Sequence, residues 1–209
     1  GGGINSSRPA SQRAAAFILT AAMLTTLAAP AFAKTWHIED GDITVKAGET
    51  KGTNKVSQGA NQEVEDTDTI IKNREDTASS NTVTIDAKDE DDKVKVTLKD
   101  VNIDASSGSE AAVSVTGKGD TTIELDGDNE LKSGAGHAGL EHNKTDTSGE
   151  LTIQDKDNNG SLEAAGGFKG AGIGSAGSND AQVKITGGNI TATSDDWGAG
   201  IGGGCNGSG

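Results

Sequence analysis

One string recurs along the chain at a nearly fixed interval, and it limits the possible folds more than any other feature. Gly-Ala-Gly-Ile stands at Gly170–Ile173 and again at Gly198–Ile201, 28 residues later. Ala138-Gly139-Leu140 is a weaker copy 33 residues before Ala171, and Ala111-Ala112-Val113 a fainter one 27 residues before Ala138. A second marker keeps the same rhythm: Ile103, Leu131, Leu162 and Ile190 follow one another at spacings of 28, 31 and 28. Between the markers lies a third strand-like piece, seen at Val94–Leu98, Thr121–Leu125, Leu151–Ile153 and Val183–Ile185. Self-similarity at this period is the signature of a repeat architecture.

Each repeat reads as three short strands of alternating apolar residues, separated by Gly, Asn and Asp turns. One such unit cannot bury its apolar face alone, but stacked units share a continuous apolar column. The expected fold is therefore all-β: a right-handed parallel β-helix with about 28 residues and three short strands per coil. Composition excludes the competitors. Thirty-one glycines argue against a helical bundle, and two prolines with no Gly period exclude a collagen-like chain. Large aromatics are nearly absent, so the interior must be built from Val, Ile, Leu and Ala, which suits a narrow stacked column. In the Gly-Ala-Gly-Ile segments the small residues would let neighbouring coils approach while Ile points inward. A phosphate-cradling loop is the alternative there, but no Lys-Ser/Thr follows the glycines.

The chain divides into three parts. Arg8 and Arg13 precede an apolar stretch, Ala14 to Leu27, too short to span a membrane stably, and Pro30 precedes the small-x-small site Ala31-Phe32-Ala33. Residues 1–33 thus have the layout of a secretory signal peptide cleaved after Ala33, which places the protein outside the cell or on its surface. A retained membrane anchor is the alternative. Residues 34–80 read as an N-terminal cap and irregular β segment, with Ile43-Thr44-Val45 and Ile70-Ile71 as candidate strands. Residues 81–209 read as the coils. The final Gly-Gly-Gly-Cys-Asn-Gly-Ser-Gly holds nothing that would cap a solenoid, so further coils are expected to follow.

The net charge is −14, and loss of two arginines with the leader would take it to −16. Nucleic acid and anionic lipid would be repelled and are not expected partners. Cys205 is the single cysteine, so no disulfide forms within the chain; pairing with a cysteine in sequence further downstream stays open.

Several pieces resemble one group of proteins: Gly41-Asp42-Ile43-Thr44-Val45, Val101-Asn102-Ile103-Asp104, Ile123-Glu124-Leu125-Asp126-Gly127-Asp128-Asn129 and Gly167-Phe168-Lys169-Gly170-Ala171-Gly172-Ile173-Gly174. Ile185-Thr186-Gly187-Gly188 and Gly198–Gly204 complete the match. In these strings the chain resembles bacterial secreted carbohydrate-binding-domain proteins with a pectate-lyase-like parallel β-helix. The resemblance implies a noncatalytic, surface-associated protein that binds polysaccharide, plant-type or acidic, with calcium in some members. The alternative is a structural or adhesive surface solenoid, an adhesin stalk.

The residues carry these readings unevenly. A lyase or polygalacturonase-like enzyme of this fold needs clustered acids with a basic residue, and the only Arg after the leader, Arg74, falls in the irregular N-terminal part. His37, His137 and His142 show no metal-ligand spacing. No catalytic residue is therefore assigned, and the chain is read as no enzyme. For calcium, Asp155, Asp157 and Asn159 occupy alternate positions ahead of Gly160, as in a calcium loop. The match stops at Gly166, where a bidentate Glu belongs, and a plain polar turn is the alternative. For sugar, ring faces pack on the apolar faces of pyranoses. Phe168 stands three residues before Ala171 and Trp197 two before Ala199, with Lys169, Asp195 and Asp196 beside them and His137 immediately before Ala138 one coil earlier. These would form a binding ridge, or else Phe168 and Trp197 would cover the Ala-Gly corner. An acidic glycan would be repelled by the chain's charge unless calcium bridged the two.

Overall fold

The computed structural model describes residues 32–209, so the leader read at 1–33 lies outside the described residues except for Phe32 and Ala33. Alternation of apolar and polar residues every second position makes strands throughout, and the Gly, Asn and Asp clusters turn them. The result is a β-solenoid of six stacked coils with three parallel walls.

The first wall stacks β1 (Phe32–His37), the end of β4 (Asn61–Lys72), β6 (Lys93–Lys99), the start of β9 (Asp120–Lys132), β11 (Leu151–Gln154) and β14 (Val183–Ile185). The second stacks β7 (Asn102–Asp104), the end of β9, β12 (Gly160–Ala165) and β15 (Asn189–Thr193), with Ser79 bridged to Ile103 in the coil before. The third stacks β2 (Ile43–Ala47), β5 (Val83–Asp86), β8 (Val113–Thr116), β10 (Leu140–Glu141), β13 (Ile173–Gly174) and β16 (Ile201–Gly202).

Two of the three sequence markers stack as their spacing predicts. Val113, Leu140, Ile173 and Ile201 pair in register on the third wall, and Val94, Thr121, Leu151 and Val183 on the first. The marker on the second wall does not. Ile103 pairs with Leu131 as expected, but Leu131 pairs with Ala164, while Leu162 lies between Asn129 and Ile190. The cause is a longer turn. Ile123 to Leu131 is 8 residues, whereas their partners Ile153 and Ala164 are 11 apart, so the Asp155–Asn159 turn inserts three. Leu162 therefore enters the wall earlier, and Ala164 takes the slot against Leu131. Asn129, buried opposite Leu162, is satisfied in place: its Oδ1 accepts the Val101 N–H at 2.8 Å and its Nδ2 donates to the Ser161 carbonyl at 3.2 Å.

The segment read as irregular, 34–80, supplies most of the first two coils and one non-solenoid strand, β3 (Asn54–Gln58). β3 pairs antiparallel with β2 on one side and with the start of β4 on the other, and so covers an edge of β2 that parallel stacking leaves unpaired. Trp36 and Ile38 close the apolar column here, both buried. Among the described residues no helix is long and apolar enough to cross a membrane.

The inward slots are filled by Val, Ile, Leu and Ala almost without exception. Thr69 and Thr121 interrupt the first wall: Thr69 is satisfied by the Asn54 amide at 2.9 Å, whereas Thr121 sits between Val94 and Leu151, buried, and its Oγ1 has no hydrogen-bond partner. An unpaired buried hydroxyl costs about 1–3 kcal/mol. Thr121→Val keeps the shape and removes the cost, so it should stabilise the chain by about 1 kcal/mol in denaturant or thermal melts. The Ala-Gly corners make the opposite prediction. A Cβ at Gly170 would collide with the His137 carbonyl of the neighbouring coil. Gly170→Ala should therefore push the stacked loops apart and cost about 1–3 kcal/mol in the same measurement.

Candidate functional site

Residues that point inward are committed to the column, so function has to be sought on the outward positions. On the second wall these form rows. Asn102, Glu130, Glu163 and Thr191 stand in register across four coils, and Asp104, Lys132, Ala165 and Thr193 form the next row. An open groove of about 720 Å³ follows the first row and reaches Arg74, Asp100 and Asp128. A second hollow of about 420 Å³ shares Asn102, Glu130, Glu163 and Thr191 with it, so the two make one continuous polar face.

None of these outward rows was singled out as a site from the sequence. The signal was the identity of the polar residues flanking each apolar marker: Asn102 and Asp104 around Ile103, Glu130 and Lys132 around Leu131. Arg74 is also placed differently from expectation. It follows β4 directly, where the chain turns toward the second wall, and so it lines the groove instead of standing apart from the coils. Its guanidinium is engaged by Asp40 through two bonds of 2.9 and 3.1 Å, which push its pKa up and hold the Asp40 carboxyl below the ordinary range.

The stacked acids are largely offset rather than face to face. Asp100 Oδ1 accepts the Asp128 N–H at 3.0 Å, Asp128 Oδ1 accepts the Ser161 hydroxyl at 2.8 Å, and Asp126 Oδ1 accepts the Asn159 amide at 2.9 Å. Each carboxylate thus receives a donor from the next coil instead of a cation. Glu130 and Glu163 are the exception, since they are direct cross-strand partners. A hydrogen bond with Glu163, aided by partial burial and by the Glu163 charge, holds the Glu130 carboxyl above its usual range.

The loops that carry the second wall into the third stack beside this face. The Gly136 N–H donates to the Phe168 carbonyl at 2.8 Å, the Gly167 N–H to the His137 carbonyl at 2.9 Å, and the Lys169 N–H to Asp195 Oδ1 at 3.4 Å. His137, Phe168 with Lys169, and Asp195 with Trp197 therefore belong to three consecutive, hydrogen-bonded loops, as the marker spacing suggested. Phe168 is 51% exposed and Trp197 57%. The Lys169 ammonium lies 5.2 Å from the Phe168 ring centroid. Asp195 also accepts the Trp197 N–H at 3.0 Å, which fixes the turn that displays the indole; Asp196 is exposed beside it.

The remaining candidates have local partners. Asp155 accepts the Asn159 and Gly160 N–H groups at 3.2 and 2.9 Å, and the Asn159 amide turns to Asp126. Asp157 is exposed within the same turn. Asp155 and Asn159 are thus engaged in holding the inserted turn and its neighbour. Among the described residues no three His, Cys, Asp or Glu side chains gather into a metal-holding group. His142 is buried with Nδ1 at 3.0 Å from the Val115 carbonyl and Nε2 at 2.9 Å from that of Gly149, so both ring nitrogens are used inside the fold. His137 contacts the buried Glu141 at 2.9 Å. Cys205 is free and half-buried, its N–H bonded to the Lys169 carbonyl at 3.0 Å.

The Glu130–Glu163 pair gives a pH prediction with a definite sign. A carboxyl whose folded pKa is raised supports the fold below its unfolded pKa and loses that support as pH rises through the folded value. Glu163→Gln removes the second charge. The variant should melt above the parent chain at pH 7, and the difference should shrink as pH falls through the raised range in which Glu130 takes up its proton.

Comparison with known proteins finds no matching family model, no similar curated protein and no similar solved structure.

Proposed function

We propose that this chain binds polysaccharide along the polar face of its second wall, with the neighbouring loop ridge as an aromatic platform. The observation that carries the proposal is the exposure of Phe168 and Trp197 on adjacent stacked loops that leave the same strands, β12 and β15, whose outward residues line the groove. The column does not need these rings, yet the chain presents them at the surface where ring faces can pack on sugar. The groove beside them is long, open and lined by carboxylates, amides and hydroxyls, the groups that hydrogen-bond a chain of hydroxyls. The resemblance to bacterial secreted carbohydrate-binding β-helices supports the same reading, with a secreted or cell-surface location and no catalytic step.

A second ligand class is favoured by the acidity of the chain. At net charge −14, an acidic, pectin-like polymer would be held through calcium shared between its own carboxylates and those of the groove, such as Glu130 and Glu163.

Retention on insoluble neutral glucan and on polygalacturonate, first with calcium and then with a chelator, tests both. Neutral binding should survive the chelator and fall about tenfold for Phe168→Ala or Trp197→Ala, equivalent to about 1.4 kcal/mol each. Acidic binding should disappear with the chelator and be insensitive to the aromatic changes. A folded chain retained on neither polymer would replace this proposal with the structural or adhesive solenoid.

A further inference from the structure

We propose that Asp66 is a receptor for the α-ammonium group released when the chain is cut between Ala33 and Lys34, so that removal of the leader locks the first coil. Asp66 is fully buried, with no measurable exposure. Its carboxylate accepts three N–H groups: that of Lys34 at 3.0 Å, the Trp36 indole at 2.8 Å and that of Asp68 at 3.1 Å. All three donors are neutral in the uncut chain. Among the described residues no Lys, Arg or His nitrogen forms an ion pair with this carboxylate, and a buried charge without a counter-charge is costly. The Lys34 side chain does not supply it, since its ammonium lies over the Trp36 ring, 4.0 Å from the centroid.

The cut falls where the uninterrupted pairing of β1 with β4 begins. Lys34 to His37 pair in register with Thr69 to Lys72. The register shifts between Phe32 and Lys34, whose partners Asp66 and Thr69 are three residues apart, so the extra residue of the bulge lies on β4 opposite Ala33. Phe32 is 70% exposed and Ala33 is exposed as well. Ala31-Phe32-Ala33 supplies the small-x-small recognition of a leader peptidase. Hydrolysis adds the hydroxyl of water to the Ala33 carbonyl and its hydrogen to the Lys34 nitrogen, which takes one further proton near neutral pH. The nitrogen that was an amide donor to Asp66 becomes a cation in the same place, and a neutral hydrogen bond becomes a charge-assisted one. The four pairs of β1 with β4 from Lys34 to His37 stay intact, and among the described residues only Phe32, whose backbone pairs with Asp66, and Ala33 are lost, both exposed.

The test compares chains beginning at Lys34 and at Ala33, each released from a fusion that leaves no foreign residue. Thermal melts from pH 6 to 10 are the readout. The folded pKa of the Lys34 amine should be raised above the unfolded value of about 8. Its contribution is then complete below that value and is lost as pH rises through the folded one. The Lys34 chain should melt about 2–4 °C above the Ala33 chain at pH 7, with the gap closing by pH 10. Asp66→Asn should abolish the gap. Should that variant fail to fold, α-acetylation of the Lys34 chain removes the charge and leaves Asp66 intact, and it should lower the melt to that of the Ala33 chain. Equal melts at pH 7, a gap unchanged at pH 10, or a gap that survives Asp66→Asn or acetylation would each overturn the proposal. So would an exported chain whose first residue is not Lys34. None of these outcomes depends on whether the protein binds a polysaccharide.

Discussion

Hydrogen bonds between parallel strands of successive coils hold this molecule, and the rest of the structure depends on keeping them in register. A parallel ladder places residue on residue, so any inward side chain sits directly on the side chain one coil away. Such a column tolerates little variation in shape or polarity. That is why Val113, Leu140, Ile173 and Ile201 are interchangeable in type, and why Trp36 occurs only where the column ends and a wide ring has room. The same rule extends to the corners. There the loops of adjacent coils meet backbone to backbone, and glycine at Gly170 and Gly198 is required by contact rather than by chain flexibility.

The surplus of acidic residues is compatible with stacking because repetition places donors as regularly as acceptors. Asp100, Asp126 and Asp128 recur at one corner, and each receives an N–H or hydroxyl from the next coil. The carboxylates therefore act as clamps between coils. The inserted turn works the same way: Asp155 holds its own amides, and Asn159 ties it to the coil below. Two places depart from this economy. Thr121 puts a hydroxyl in the apolar column without a partner, and Glu130 faces Glu163 directly. The first lies inside, where it can only cost stability. The second lies on the open groove, where a ligand can reach it.

How much could be read from the sequence follows from the same ladder. Inward positions obey a rule shared by every coil, so the Gly-Ala-Gly-Ile string and the Val183–Ile185 type of strand announced the coil and its walls. Spacing also brought His137, Phe168 and Trp197 to consecutive loops, which the structure shows hydrogen-bonded in sequence. Spacing failed at Leu162. A three-residue turn displaced the wall there, and two leucines at a plausible interval were not partners. Periodicity cannot separate a longer turn from a longer strand when both keep the apolar alternation. The groove was missed for a different reason. Outward residues follow no shared rule, so Glu130 or Arg74 looks like ordinary surface until the register sets it beside Glu163 or Asp100.

This asymmetry between inside and outside also guides the search for function. Where a residue type is explained by the column or the corner, it carries no information about a ligand. Ile173, Gly170, Asn129 and Asp155 are all explained in this way. Phe168 and Trp197 are not. An aromatic ring at a tight Gly-rich corner gains most by folding over the wall, yet both rings stand more than half exposed in turns pinned by Asp195. Loops stacked by their backbones cannot move independently, and those that carry the two rings belong to coils about 4.8 Å apart. A partner that matches such an array must itself repeat along one axis. The polysaccharide proposed above, as a linear polymer, would meet that condition.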